Sequence, residues 1–209
     1  ACAEHYQPRF AGDALPSPGV PTAVALADKL ETLAGLFGIG QMPTGDKDPF
    51  ALRRHALGVI RILVEQKLSV SLNALLDAAF SAMGSKASDA NAKSALTEFI
   101  FDRLRGYLKD TGASTNEIES IVSQRPDQFA IVPAQLTAVR AFAALPEAES
   151  LNAANKRVAN ILKKAEEAKE AIAASAVAQE PAEAALRNAL DTIAPKADAL
   201  FKSGDFTGY

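Results

Sequence analysis

Apolar residues recur along this chain in steps of three and four, and no stretch alternates with period two in β-branched residues. The first pattern lines one face of an α-helix, whereas the second would line one face of a strand. A chain that carries only the first buries its apolar surface by packing helix on helix. The expected fold is therefore all-α, a bundle of roughly eight helices joined by short loops.

Punctuation divides the pattern into segments. Pro8, Gly12, Pro16, Pro18 and Gly19 make a loop. Pro21 suits the first turn of a helix whose apolar positions are Val24, Leu26, Ala27, Leu30, Leu33, Ala34 and Phe37, and which Gly38-Ile39-Gly40 stops. Asp48-Pro49 reads as an N-cap and first-turn pair, opening a helix from Phe50 to about Gln66 that is apolar nearly all round and so belongs at the centre. Helices are expected at about 71–83 and, after the polar break 84–89, to about Lys109. Ser114 and Glu117 fit a capping box for a short helix through Val122, and an Ala-rich helix follows at about 128–143. Beyond Pro146, a narrow seam runs through Leu151, Ala154, Val158, Ile161, Ala165, Ala168 and Ile172, and Glu180-Pro181 opens a last helix to about Lys202. The chain starts without Met, residues 1–6 read as the last turns of a helix, and Phe206 and Tyr209 follow a loop with no evident packing partner. These features predict an internal fragment of a longer polypeptide.

Composition narrows the functions. With 209 residues, 48% hydrophobic and 22% charged, the chain can build a core, and a net charge of −3 supplies no bulk positive field for nucleic acid or membrane. Any basic surface must be local. One cysteine excludes an intrachain disulfide framework, and two histidines argue against a multi-histidine metal centre. No apolar run approaches the roughly 18–20 residues that span a bilayer, and no signal-peptide pattern opens the chain, so a soluble intracellular protein is expected.

Three constellations could carry chemistry. Cys2 lacks an evident imidazole partner and is expected to be a small, at least half-buried hydrophobe. The glycine-rich string from Gly35 to Gly40 follows a helix instead of a strand, the wrong context for cradling phosphate. His5, Asp13 and Asp28 offer an imidazole and two carboxylates to a hard divalent ion, though they are scattered. The third constellation is a local basic face. Asn152, Asn155, Lys156, Asn160, Lys163 and Lys164 lie mostly away from the seam of the helix after Pro146, with Arg157 at its edge. Lysines at spacing seven share one stripe, and amides between them can bond phosphates or base edges. Arg53, Arg54 and Arg61 form a comparable set, as do Arg103 and Arg105 beside Tyr107. Charges on a helix commonly form a solvated face, and Glu166, Glu167 and Glu170 could pair with these lysines.

The string from Ala25 to Leu33, then Phe37-Gly38-Ile39-Gly40, Pro43-Thr44-Gly45, and Lys47-Asp48-Pro49-Phe50-Ala51-Leu52-Arg53-Arg54 closely resembles the β subunit of bacterial two-subunit glycyl-tRNA synthetases. The run from Ala154 to Lys164 resembles the same family, and is similar to the helical anticodon-binding domain shared with arginyl-tRNA synthetases. Residues 4–13 match the segment just upstream. The likeness covers essentially the whole chain and is least distinctive over about 67–95 and 111–130.

That resemblance implies a tail of an HD-like domain with its linker over residues 1–45, and over 48–209 a DALR-type anticodon-binding helical domain lacking its last helices. Asp28 falls where HD enzymes hold a late metal-ligating aspartate, but the earlier ligands would lie outside the chain, so neither a metal site nor a catalytic residue is carried over. The resemblance further implies a non-catalytic part of a cytoplasmic glycine–tRNA ligase. Its partners would be glycine tRNA, the α subunit and the rest of the β subunit, with no membrane. ATP and magnesium would be held by the α subunit and no cofactor by this chain. Residues expected to contact tRNA are Asn155, Lys156, Arg157, Asn160, Lys163 and Lys164, with Arg53 and Arg54 as weaker candidates. Two other readings stay open: a helical scaffold that binds only other parts of the enzyme, and a metal phosphohydrolase using His5 and Asp28.

Overall fold

Helix α1, Val20–Gly38, starts with Pro21 in its first turn, where a missing N–H leaves no bond unmade. Its buried face carries Ala25, Leu26, Lys29, Leu30, Leu33, Ala34 and Phe37, and packs against α2 (Leu52–Glu65), α3 (Leu72–Met83) and α4 (Ala92–Asp110). Helix α5 is Thr115–Val122, α6 Val132–Ala143, α7 Ala148–Glu167 and α8 Pro181–Ser203. The computed structural model describes residues 1–87, 89–167 and 180–209, and among these all named elements are helical. The expectation of an all-α protein with eight helices holds.

The chain divides into two compact units, Ala1–Leu136 and Thr137–Tyr209. In the first, α2 is central as its composition predicts, with Leu52, Ala56, Val59, Ile60, Ile62, Leu63 and Val64 buried against α1, α4 and the 3₁₀ turn Phe129–Ile131. Phe129 is fully buried and meets Phe101 edge-on, the ring centroids 5.7 Å apart. The turn-rich segment 42–47 lies within this unit.

Local chemistry sets the helix ends. Asp48 does cap α2, but from further out than expected: its carboxylate accepts from Leu52 N at 2.8 Å and Arg53 N at 3.0 Å. Pro49 and Phe50 form a turn, Ala51 takes a left-handed conformation (φ 57°), and the helix begins two residues later than predicted. Ser71 caps α3, accepting from Ala74 N. Asp127 ties the same end down from a distance in sequence, accepting from Asn73 N at 2.9 Å and Asn73 Nδ2 at 2.8 Å. The capping box of α5 is present, with Ser114 Oγ accepting from Glu117 N and Glu117 Oε2 from Ser114 N. Gly38 allows a close passage: a Cβ there would lie 2.6 Å from that of Ala87.

Three local expectations change. Residues 1–6 form turns instead of a helix end, Glu4 N and His5 N both donating to Ala1 O. Cys2 is exposed, because those turns place it outside the core. Phe206 and Tyr209 do find a partner: the left-handed Gly204 turns the chain back so that both rings pack on Phe201, at 5.3 and 5.5 Å between centroids. Ala168, Glu170 and Ile172, named in the seam or its flank, lie outside the described residues.

Candidate nucleic-acid interface

In the second unit α7 is a helix exposed along almost its whole length. At roughly 100° per residue, Lys156, Asn160, Lys163 and Lys164 share one arc with Arg157 at its border, and Leu151, Ala154, Val158, Ile161 and Ala165 occupy the opposite one. Asn155 lies at the other edge of the polar arc. Lys156, Arg157, Asn160 and Lys164, with Ala153 and Ile161, line a shallow depression along the helix. Among the described residues Lys156, Arg157 and Lys164 make no ion pair, and Glu166 and Glu167 sit at the helix end. Of the six residues expected on this helix, Lys156, Arg157, Asn160 and Lys164 line the depression, and Asn155 and Lys163 do not.

The cations of the first unit are disposed differently. Arg53 is half-buried and donates to the Gly45 carbonyl, holding the turn before α2. Arg61 is paired with Glu65 at 2.7 Å and donates to Phe10 O. Arg105 bonds Asp102 and Glu119, both at 2.9 Å, and Arg125 bonds Glu98 while lying over the Phe101 ring. Arg103 stacks over Phe99. Arg53, Arg61, Arg105 and Arg125 spend donors inside the fold, whereas Arg54 is exposed. Arg53 and Arg54 belong to the first unit and α7 to the second.

The proposed metal triad does not converge. Asp13 accepts from Arg9 N, Arg9 Nε and Ala14 N, and the Arg9 bonds hold its carboxyl well below the usual carboxylate range. His5 Nδ1 lies 2.8 Å from Cys2 O. His5 and Asp28 both border an apolar groove of about 660 Å3 between α1 and α3, whose walls are mainly Ala, Leu, Val and Met. Among the described residues no three His, Cys, Asp or Glu side chains are grouped to hold a metal.

The sequence reading overlooked a second cluster. Lys29 is 1% exposed, packed over Gly58, with Nζ donating to Tyr6 O at 3.1 Å. Burial pushes its ammonium pKa down, against the upward pull of Asp28 and Asp13. His55 is also lowered, first by burial and then by the charge of Lys29. The signal was available: position 29 falls in the same helical phase as Ala25, Leu26, Leu30 and Leu33, where a lysine is out of place.

Fold and surface together define an all-helical protein that displays a cationic, amide-bearing helix face; among its described residues no single helix is long and apolar enough to cross a membrane. A family model described as glycyl-tRNA synthetase beta subunit matches residues 1–123. Over 207 residues the chain is 55% identical to the glycine–tRNA ligase beta subunit of Ralstonia nicotianae and 54% identical to that of Dechloromonas aromatica, covering 99% of this chain in both and 30% and 29% of those proteins. The beta subunit of Paracidovorax citrulli is 56% identical over 208 residues, 100% of this chain and 29% of that protein. The chain belongs to the glycyl-tRNA synthetase beta subunit family. It spans about three tenths of the length of these relatives.

Proposed function

We propose that this chain is the tRNA-recognition part of a glycine–tRNA ligase β subunit and acts in the cytoplasm. In this reading residues 1–45 end an HD-like domain and 48–209 form most of a DALR-type anticodon-binding domain. The observation that carries it is the cationic, amide-bearing face of α7 in a chain of this family. Lys156, Lys163, Lys164 and Arg157 neutralise phosphates of the anticodon stem, while Asn155 and Asn160 bond unstacked loop bases. Arg54 adds an exposed cation, and Arg53 shapes the turn beside it. Binding the anticodon end places the acceptor end of the same tRNA at the α subunit, which activates glycine with ATP and magnesium. This chain supplies position, not bond-making groups. The opposite, apolar face of α7 suits packing against the remainder of the β subunit.

Charge reversal in the intact two-subunit enzyme tests this. Lys156→Glu, Lys163→Glu and Lys164→Glu together are expected to lower kcat/KM for tRNA glycylation at least about tenfold, equivalent to about 1.4 kcal/mol, mainly through KM. Lys109→Glu, a control at the end of α4, is expected to leave it unchanged. Undiminished charging by the triple variant would favour a scaffold instead.

A further inference from the structure

Helix α1 is apolar on two faces and covered on one. Ala25, Leu30, Leu33 and Phe37 are buried, whereas Val20, Ala23, Val24 and Ala27 recur at helical spacing on a face left open, with Val20 68% and Val24 40% exposed. A surface helix normally carries polar residues on its outer face, and one that is apolar on both sides is packed on both. Ala23, Val24 and Ala27 form one wall of the groove of about 660 Å3, and Ala78, Ala79 and Ala82 of α3 form the other. Two carboxylates, Asp28 and Glu31, border this groove, and no lysine or arginine does. Neither makes an ion pair among the described residues. Asp28 acts on Lys29 and His55 only through space.

These features define the occupant. Alanine walls on two neighbouring helices let a third helix approach to the usual axial distance of about 8–10 Å, and its larger apolar side chains fill the space the alanines leave. The unpaired acids at the edge call for lysine or arginine flanking that apolar ridge. A neutral apolar ligand would leave both carboxylates unanswered. The source follows from length. The chain spans about three tenths of the relatives it matches, so a β subunit has ample further chain to supply such a helix. Attachment to the same polypeptide raises its local concentration above that of any separate partner.

We propose that the α1–α3 groove seats an amphipathic helix from the part of the β subunit outside these 209 residues, its apolar ridge on the alanines and a lysine or arginine beside Asp28 and Glu31. The proposal rests on reading this chain as part of a glycine–tRNA ligase β subunit, but not on the role of α7. The test is photo-cross-linking in the full β subunit, alone and with the α subunit, from a diazirine side chain placed at Ala79 and, in a separate protein, at Ala27. Each protein is first checked for an unchanged helical circular dichroism spectrum. Both probes are expected to form a cross-link within one β chain, with or without the α subunit, to a segment outside this chain. That segment should carry a lysine or arginine within one helical turn of the cross-linked residue. Asp28→Lys with Glu31→Lys should lower the yield at least about fivefold through like-charge repulsion, and Asp110→Lys at the end of α4 should not. Cross-links to the α subunit, to a second β chain or only to residues of this chain would overturn the proposal. So would reaction with water alone, or a yield indifferent to the double charge reversal. The α7 charge reversal in the intact enzyme is read separately, so tRNA recognition can stand where this inference fails.

Discussion

Lys29 shows how one residue can be both a structural liability and a constraint on its neighbours. Its stem crosses Gly58 so closely that an added Cβ would sit 2.6 Å from Lys29 Cε and 2.9 Å from Cδ. The side chain cannot swing into water without abandoning its carbonyl partner, so Gly58→Ala is expected to cost about 1–3 kcal/mol, the usual range for overpacking. A lower urea midpoint at unchanged slope would register it. Asp13 acts at the same scale through charge. Its carboxyl is held below the usual range in the folded chain by Arg9, so the folded state binds fewer protons than the unfolded state as pH falls. Its stabilisation is present above the ordinary carboxylate pKa, about 4, and is lost on acidification through the folded value. Asp13→Asn should therefore lower the melting temperature at neutral pH, and the gap to the parent should narrow as pH drops below about 4. A gap that stays constant with pH would show that the carboxylate charge contributes nothing.

At the scale of elements, caps and phases account for most boundaries. Removing the side-chain acceptor in Ser114→Ala is expected to destabilise by about 1 kcal/mol, measurable by chemical denaturation, because Ser114 Oγ accepts from Glu117 N in the α5 capping box. The helices were legible because Pro21, Ser114 and Pro181 announce starts by mechanisms that operate within a few residues. The start of α2 was less so. Asp48 caps it from four residues away, and nothing local marks Ala51 as the residue that turns left-handed. Asp127 securing α3 is a contact across 54 residues, which no window on the sequence can see. The same distinction applies to the candidate sites. The α7 face follows from helical phase alone, so its residues could be grouped from their spacing. The cluster of Lys29 and His55 depends on α1 and α2 meeting at Gly58, and on the N-terminal segment crossing them, so only the packed chain reveals it.

Across the whole molecule the buried core and the cationic face fall into different units. Nearly all buried apolar side chains among the described residues belong to Ala1–Leu136, while α7 and α8 leave Leu151, Val158, Ile161, Leu186, Leu190 and Ile193 exposed. Residues 1–136 alone are expected to retain cooperative thermal unfolding with a midpoint within about 5 °C of the full chain, a difference of order 1 kcal/mol. A non-cooperative transition would mean that the second unit contributes to the core. The net charge of −3 makes the positive stripe on α7 a local field in an otherwise acidic chain, so binding through it should be selective for where the polyanion lies and sensitive to salt. The most direct measurement is the affinity of this chain for glycine tRNA and for an anticodon-substituted copy, each titrated over a salt series. Anticodon recognition through α7 predicts tighter binding of the native tRNA and, for both, a logarithmic fall in affinity with salt whose slope becomes shallower when Lys156, Lys163 and Lys164 are neutralised. Equal affinity for the two tRNAs, with a slope that those substitutions leave unchanged, would contradict it.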